Sequence, residues 1–559
     1  MPRVLTAKER YGTLGLCVLV VAFGVAWVWA GYIESTDAIP ARGGTYSEAL
    51  VGEPQFINPL LLGINDTDKD IAALVYSGLM KYDTNGNIVP DLAERYEISQ
   101  DGKEYTFSLR RNAEWHDGGT VTADDVVFTF SAILDPDYGS PQRASLQSIK
   151  VEKVDDYTVK LILPYPYSQF LERLTIGIVP KHTWENISPQ NINLAEANLM
   201  PIGSGPYRFE KFIKDKYGHI VSFSLTAHPR YHNGAPLVTA FDFFFYSTSD
   251  EALKAYQRKD VMAIGGMPPR QKSELERRGM NIYTMDVPKY FAVFFNQSRS
   301  KALADKNVRI ALSTATDKTT IAQGILNDIS AIIDSPILPW LVGYNPDVKK
   351  YAYDADAARA TLENAGWKDA NNDGVREKTI GKDKEATLLE ITLVTSDLPD
   401  LIQTGEMLKR QWEAVGAKVN LETYTIDELK QQVIKQRRYE ALLFGEALSH
   451  APDPYLFWHS SQKRDPGLNL ALYDNKSTDA MLETIRASLN EDERIGSLKK
   501  FQETLAEEIP ALFLYSPRYL YAVSNDVKNI TVVHISAPSR RFTAIEKWYI
   551  KTTRVPKAQ

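Results

Sequence analysis

Among 559 residues there is a single cysteine, Cys17, and it sits in the first thirty positions. The rest of the chain therefore cannot form a disulfide, a thiolate metal site or a cysteine nucleophile, and its stability has to come from the size of its core. The eight histidines are scattered. His228 and His232 are four apart, but Pro229 and Gly234 break any helix that would bring them onto one face, and His116 in the Trp-His-Asp-Gly turn reads as a structural hydrogen-bonding residue. Phosphate-binding glycine loops, dinucleotide fingerprints, HExxH and GxSxG are all absent, which removes the commonest nucleotide, zinc-protease and serine-hydrolase chemistries. No cluster of Lys and Arg interleaved with aromatics occurs. The net charge is -7, of which Arg3, Lys8, Arg10 and Glu9 contribute +2 in residues 1–31, leaving -9 on the body. An acidic body of this kind is unsuited to nucleic acid, whose binding relies on clustered positive charge.

Long apolar runs are also scarce, and the one that exists is at the N-terminus. Gly12 to Ala30 carries no charge over nineteen residues, close to the ~20 needed to cross a bilayer as a helix. The preceding basic residues should stay in the cytoplasm, so the body lies outside it. Val28-Trp29-Ala30 would be the cleavage site of a signal peptide, whereas bulky Trp27 and Trp29 suit the interfacial belt of a retained anchor, the reading adopted here. Leu16 before Cys17 does not fit a lipoprotein signal.

The composition, 44% hydrophobic and 24% charged, is that of an ordinary globular protein, and the length asks for two or three domains. Tyr105, Phe107 and Leu109 alternate with polar neighbours as in a half-buried strand. Asp117-Gly118-Gly119 turns the chain, and Thr122 with Asp125 forms a capping-box pattern ahead of a helix bearing Val126, Val127, Phe130, Ile133 and Leu134. Residues 100–165 hold several short strands with turns at Asp101-Gly102, Asp117-Gly118 and Asp155-Asp156. Later, Leu388 to Ser396 is an apolar strand. Leu401, Gly405, Leu408, Trp412 and Val415 recur at helical spacing, Gly416 ends that helix, and Ala417 to Tyr424 alternates again. This is a strand-helix-strand unit with a right-handed crossover and a parallel pair. Tyr439 to Gly445 reads as the next strand. Because ligands of open α/β sheets sit beyond the carboxyl ends of strands, the segment Glu446 to Trp458 is the first choice for a binding loop. Asp369, Asn371, Asp373 and Gly374 copy the opening of a calcium loop, but Ile380 stands where a bidentate glutamate belongs, and a plain polar turn is the better reading.

Six phrases carry a resemblance in a fixed order. They are GEPQFINPL (52–60), VYSGLMKYDTNGNIVPDLAERYEIS (75–99), EYTFSLRRNAEWHDGGTVTADDVVFTF (104–130), PIGSGPYRFEKF (201–212, with Ser204 for threonine), NVRIALSTATDKTTIAQGIL (307–326), and APDPYLFW with NLALYDNKSTDAML (451–458 and 469–482). Over about residues 43–545 the chain resembles the extracytoplasmic solute-binding proteins of family 5, the peptide and nickel type that deliver ligands to ABC importers. The resemblance implies an α/β, two-lobed, periplasmic-binding-protein-like (type II) fold with an extra α+β subdomain. Residues 1–31 would be a cytoplasmic stub and anchor or signal, 43–286 lobe one with a subdomain inserted at about 56–196, 287–522 lobe two, and 523–559 a return to lobe one. The two crossing strands fall near Val287 to Asn296 and Ala511 to Ser524.

The resemblance also implies a peptide ligand, an ABC permease as partner, no cofactor, and a monomer. The candidate ligand contacts are Glu53, Gln55 and Phe56 in the first loop and Phe444, Glu446, His450, Asp453, Tyr455 and Trp458 in the late one. Aromatic faces hold variable side chains by area, and carboxylates neutralise a ligand amine. Trp458 reads equally well as a core residue. In peptide-binding relatives an aspartate three residues before the Asp-Pro pair grips the peptide amine, whereas this chain has His450 there; Glu446, four residues upstream, is the carboxylate placed to substitute. The departure leaves open a longer peptide held by backbone hydrogen bonds, or a non-peptide solute such as a nickel complex or a sugar. From other classes come a secreted hydrolase using Glu53 and Asp453 as a carboxylate pair, and a tethered sensor or chaperone on the same scaffold.

Overall fold

In a computed structural model of the chain, residues 7–277, 280–327, 329–381, 385–449 and 451–557 are described. The apolar N-terminal run lies within a helix, Ala7–Ser35, longer than the run itself, and Tyr11–Ser35 is long and apolar enough to cross a membrane. Its side chains from Tyr11 onward touch nothing that buries them, and Cys17 is exposed. Directly after it, Thr36–Ala41 pairs antiparallel with Lys551–Pro556, so the two ends of the body meet at the base of the helix. Arg554 fastens the join by donating from Nε to Thr36 Oγ1 at 2.8 Å and from Nη2 to the Ile33 carbonyl at 2.8 Å.

The body is organised on one long sheet. In spatial order its strands are Lys418–Tyr424, Glu390–Ser396, Ala441–Ala447, Lys289–Phe295, Ala511–Val523, Ala263–Gly265, Thr45–Val51, Ala240–Tyr246, Ile220–Ala227 and Tyr207–Lys214, with Asn281–Asp286 and Ser330–Ile332 also on Ala511–Val523. The strand-helix-strand unit is present. Glu390–Ser396 and Lys418–Tyr424 run parallel, joined through helix Pro399–Glu413, whose Leu401, Leu408 and Trp412 are buried. Gly405 lets the helix pack close on the strand beneath, since a Cβ there would lie 2.8 Å from Leu421 Cδ1 and require that side chain to shift. The early α+β region is a separate four-stranded sheet, Ala93–Ile98, Glu104–Leu109, Thr158–Ile162 and Lys150–Asp155, backed by helix Ala123–Leu134 with the Thr122/Asp125 capping box formed.

Apolar packing divides the body in two. One core includes Tyr46, Phe107, Phe130, Phe241, Met285, Tyr521 and Trp548; the other part includes Val293, Leu312, Trp412, Leu443, Phe501 and Leu512. The chain passes between them at Val287 and Pro288 and again along Ala511–Val523, a thirteen-residue strand whose first half pairs with Lys289–Phe295 and whose second half pairs with Asn281–Asp286. At this crossing Asp286 accepts from Arg518 Nε at 2.7 Å, His534 Nδ1 stands 3.0 Å from its other carboxylate oxygen, and the His534 ring lies parallel to Trp340 at 6.5 Å between centroids.

A fully buried ion cluster closes the first core. Arg541 and Glu48 are 0% exposed and Asp70 is 3% exposed. Each guanidinium N–H has an acceptor. Nε and Nη2 donate to Glu48 Oε1 at 3.1 and 2.7 Å, Nη1 and Nη2 to Asp70 Oδ1 and Oδ2 at 2.7 and 2.6 Å, and Nη1 to the Pro538 carbonyl at 2.8 Å. Tyr46 and Tyr521 hydroxyls donate to Glu48 Oε2 at 2.8 and 2.9 Å. Strand Thr45–Val51, helix Asp66–Val75 and the C-terminal segment are thereby tied at one point.

The Gly-Ser-Gly-Pro-Tyr turn is built on close approach. A Cβ on Gly203 would stand 2.0 Å from the Val75 carbonyl oxygen, and one on Gly205 2.6 Å from that of Leu74. His116 holds this turn. Gly203 N–H donates to its Nδ1 at 3.1 Å and its Nε2 meets the Gly205 carbonyl at 3.1 Å, an arrangement that fits a neutral ring protonated on Nε2. Burial pushes His116 down to about 3, so the ring remains neutral at any physiological pH. The calcium-like turn spends its carboxylate on its own backbone: Asp369 accepts from the N–H groups of Asp373 and Gly374, both at 3.0 Å.

Candidate functional site

Helix Asp66–Val75 starts at Asn65, whose side chain accepts from Thr67 N–H at 3.0 Å and donates to the Glu53 carbonyl at 3.0 Å. Asp68 in its first turn accepts from Gln55 N–H at 2.7 Å. The first loop is thus fixed by backbone hydrogen bonds. Gln55 itself is exposed, Phe56 is half-buried, and the Glu53 carboxylate meets His219 Nδ1 and Ile220 N–H, both at 3.2 Å.

Alongside this helix opens a cavity of about 510 Å³. Its walls are the helix (Lys69, Ala73, Tyr76), the segment through Lys81, Tyr82 and Asp83, the segment through Glu172 and Arg173, and the C-terminal turn Pro538–Phe542 with Arg540. All of these belong to the first core's half of the body. Ser449, two residues beyond strand Ala441–Ala447, comes from the other half. Charged walls need internal partners, and most have them. Burial alone would raise Asp91, but His232 at 2.9 Å, Lys81 at 3.5 Å and Asn233 at 2.7 Å hold it below the usual carboxylate range. Burial and the hydrogen bond it donates to Glu172 push the Tyr82 hydroxyl well up. His232 is therefore a hydrogen-bond partner of Asp91, while His228 Nδ1 faces the Gly205 carbonyl at 3.3 Å, and the two do not form a metal pair. Among the described residues no group of three or more His, Cys, Asp or Glu is arranged to hold a metal ion.

None of the eight described candidates from the sequence lines this cavity, and His450 lies outside the described residues. Glu446 was expected on a loop. Instead strand Ala441–Ala447 continues through it in register with Tyr290, because Lys289–Phe295 offers a paired edge up to Ala447. The Glu446 carboxyl is buried and bonded by the Tyr290 hydroxyl, its Oε1 has no hydrogen-bond partner among the described residues, and burial pushes it up to about 8. Trp458 is 1% exposed and packs on Phe294, Tyr473, Phe501 and Phe513, the core alternative of the sequence reading. Phe444 and Tyr455 are half-buried against the same cluster.

Asp453 has a different role from the one its position in the sequence suggested. Its Oδ2 accepts from Arg486 Nη2 at 2.9 Å and Nε at 3.3 Å, and from the Tyr167 hydroxyl at 3.2 Å. Gln169 donates to the Pro452 carbonyl at 3.2 Å, and Ser168 bonds the Arg486 and Ile485 carbonyls with its N–H and hydroxyl at 3.0 and 3.1 Å. Residues 167–169 pack with the first core, so this cluster ties the two halves of the body across the cleft. Charge-assisted hydrogen bonds of this kind contribute about 1.5–3 kcal/mol. Asp453→Ala is expected to lower the melting temperature by a few degrees and to increase the ligand-free radius of gyration in small-angle scattering; an unchanged radius would show that the tie does not hold the halves together. Two carboxylates free to work on one substrate are a requirement of the hydrolase alternative, and Glu53 and Asp453 are each engaged with a basic side chain.

The model of the bacterial extracellular solute-binding proteins, family 5, matches residues 87–467. The chain belongs to that family. Family 5 relatives extend over nearly its full length. The oligopeptide-binding protein AppA of Bacillus subtilis (strain 168) is 29% identical over 521 residues, 91% of this chain and 92% of the relative. The dipeptide-binding protein of Escherichia coli (strain K12) is 24% identical over 527 residues, 89% of this chain and 94% of the relative. Among solved structures, Bacillus subtilis AppA in complex with a nonapeptide superposes with a TM-score of 0.70 at 28% identity, covering 92% of this chain and 100% of that one. NikZ from Campylobacter jejuni in complex with Ni(L-His) gives 0.71 at 26%, covering 90% and 99%. The α/β, two-lobed architecture with its extra sheet is that of family 5.

The buried Glu48–Asp70–Arg541 cluster was not read from the sequence. One signal was available. Glu48 falls on the same face as Tyr46 and Leu50 in the strand Thr45–Val51, an inward position at which a carboxylate requires a buried partner. The Asp453–Arg486–Tyr167 tie left no comparable trace.

Proposed function

We propose that this family 5 chain is the extracytoplasmic substrate-binding component of an ABC importer, which captures peptides by closure of two lobes about a hinge and presents them to a permease. The lobes divide at Val287–Pro288 and within Ala511–Val523, and helix Ala7–Ser35 holds the body at the outer face of the cell membrane. The observation that carries the reading is the cavity walled by one lobe and reached by Ser449 of the other. A ligand touching both sides favours the closed state over the open one, which is the differential contact that a population shift requires. The peptide named in the oligopeptide-binding relative and the nonapeptide of its solved complex support the choice of ligand class. In this reading Ser449 contacts the ligand from lobe two, and the body acts as a monomer.

The test is native mass spectrometry of the full chain, purified in mild detergent without denaturation, with the co-purified ligand identified after acid release. A heterogeneous set of short peptides is the expected result. An empty protein that gains no thermal stability from a peptide library would overturn the peptide reading.

A further inference from the structure

Arg540 and Arg541 are adjacent, yet their surroundings are opposite. Arg541 points into the core with all five donors engaged; Arg540 lines the cavity, half-buried. Its guanidinium lies over the Tyr82 ring, 5.0 Å from the centroid. Among the described residues it has neither an ion pair nor a side-chain hydrogen bond. The nearby carboxylates are otherwise occupied, Glu172 by Tyr82 and Asp91 by His232, Asn233 and Lys81. Burial pushes the Arg540 guanidinium below its ordinary value, more than the neighbouring Tyr82, Asp91 and Glu172 restore it. A partly desolvated cation whose donors meet no side-chain acceptor among the described residues gains when something supplies one.

From this placement we infer that Arg540 is a receptor for a carboxylate of the ligand inside the cavity. A planar guanidinium offers two parallel N–H groups to a carboxylate, and the Tyr82 ring lies beside it. Of the basic groups in the walls, Lys69 is paired with Asp66 and Lys81 with Asp91, at 3.0 and 3.5 Å, and Arg173 donates to the Tyr167 hydroxyl at 3.4 Å, whereas Arg540 has no such partner among the described residues. The inference rests on the cavity being the ligand chamber. The carboxylate has two sources in a peptide, its C-terminus or an acidic side chain.

Isothermal titration of the full chain in detergent separates them, with tetra-alanine as the free acid, its C-terminal amide, and an amide carrying one internal glutamate. If the C-terminus is bound, amidation weakens binding about 10- to 100-fold, the range that a charge-assisted pair implies, and the internal glutamate does not restore it. Restoration by the glutamate assigns the side chain instead. In Arg540→Gln the free acid and the amide should bind alike, and Arg540→Lys should fall between, because it keeps the charge and loses the fork. Equal binding of all three peptides to the wild-type chain, or an unchanged acid preference in Arg540→Gln, overturns the inference. A second readout needs no peptide. Millimolar glutarate should raise the melting temperature of the wild-type chain and protect Arg540 from phenylglyoxal. If peptides fail to bind while glutarate protects, the carboxylate site stands and the peptide reading falls. If glutarate neither stabilises nor protects and no peptide binds, the carboxylate site falls as well.

Discussion

Replacing Arg541 by methionine is expected to destabilise the protein by at least about 3–5 kcal/mol, the cost of stranding buried charges whose partner has gone. The size follows from the geometry. Glu48 and Asp70 are both inside the core, and Arg541 supplies ionic hydrogen bonds to each. Burial pushes Asp70 up to about 6 even with Arg541 pulling it down, so without the guanidinium its charged form loses its main support. Neutralising both acids in the same chain, as Glu48→Gln, Asp70→Asn and Arg541→Met together, should recover much of the loss, since polar groups without charge are far cheaper to bury. Urea denaturation followed by far-UV circular dichroism reads both. A loss below about 1 kcal/mol in Arg541→Met, or no recovery in the triple variant, would show that the cluster is not the clamp described above. Because Arg541 fastens the C-terminal segment that also bears Arg540, the single variant is expected to weaken ligand binding too.

The second large effect is a pH dependence centred on Glu446. Its carboxyl is pushed up to about 8 by burial, opposed only by the Tyr290 hydrogen bond, whereas in the unfolded chain it titrates at its ordinary 4.5. The folded state therefore binds this proton more tightly than the unfolded state. Its contribution to stability is complete below pH 4.5 and is lost as pH rises through about 8. At 1.36 kcal/mol per unit, the loss between pH 5 and pH 8 is about 4 kcal/mol. Glu446→Gln removes the titration, so the difference in unfolding free energy between variant and wild type should grow by about that amount from pH 5 to pH 9. A constant difference would mean that Glu446 ionises as an exposed glutamate does. The same group bears on ligand capture. If a peptide ammonium reaches Oε1, which has no partner among the described residues, it will favour the carboxylate and expel a proton. Calorimetry at pH 7 in buffers of different ionisation enthalpy should then show proton release, and Glu446→Gln should abolish it.

The sequence was legible wherever a local rule and the tertiary environment agree. Thr122 and Asp125 form their capping box because both partners are three residues apart on one chain, with no distant residue required. The apolar period of Leu401, Leu408 and Trp412 survives into the fold for the same reason: a helix with one apolar stripe has a single face to bury. Glu446 marks where that reasoning ended. A glutamate following an apolar strand looks like the start of a solvated loop, yet Tyr290, 156 residues earlier, pairs with it and carries the strand past it. Asp453 likewise resembles a free ligand carboxylate until Arg486 and Tyr167 are brought to it.

By itself the sequence determined the family, the strand-helix-strand unit, the long apolar N-terminal run and the lack of cysteine beyond it, since each rests on residue types at fixed spacing along one stretch of chain. Only the tertiary structure decided which charges are spent and which are free. Arg540 and Arg541 are neighbours in sequence and indistinguishable there; one is saturated by Glu48 and Asp70, and the other lies beside Tyr82 on the cavity wall with no ion pair among the described residues. That difference depends on side chains hundreds of residues apart, because the availability of a charged group is fixed by what surrounds it and not by what precedes it.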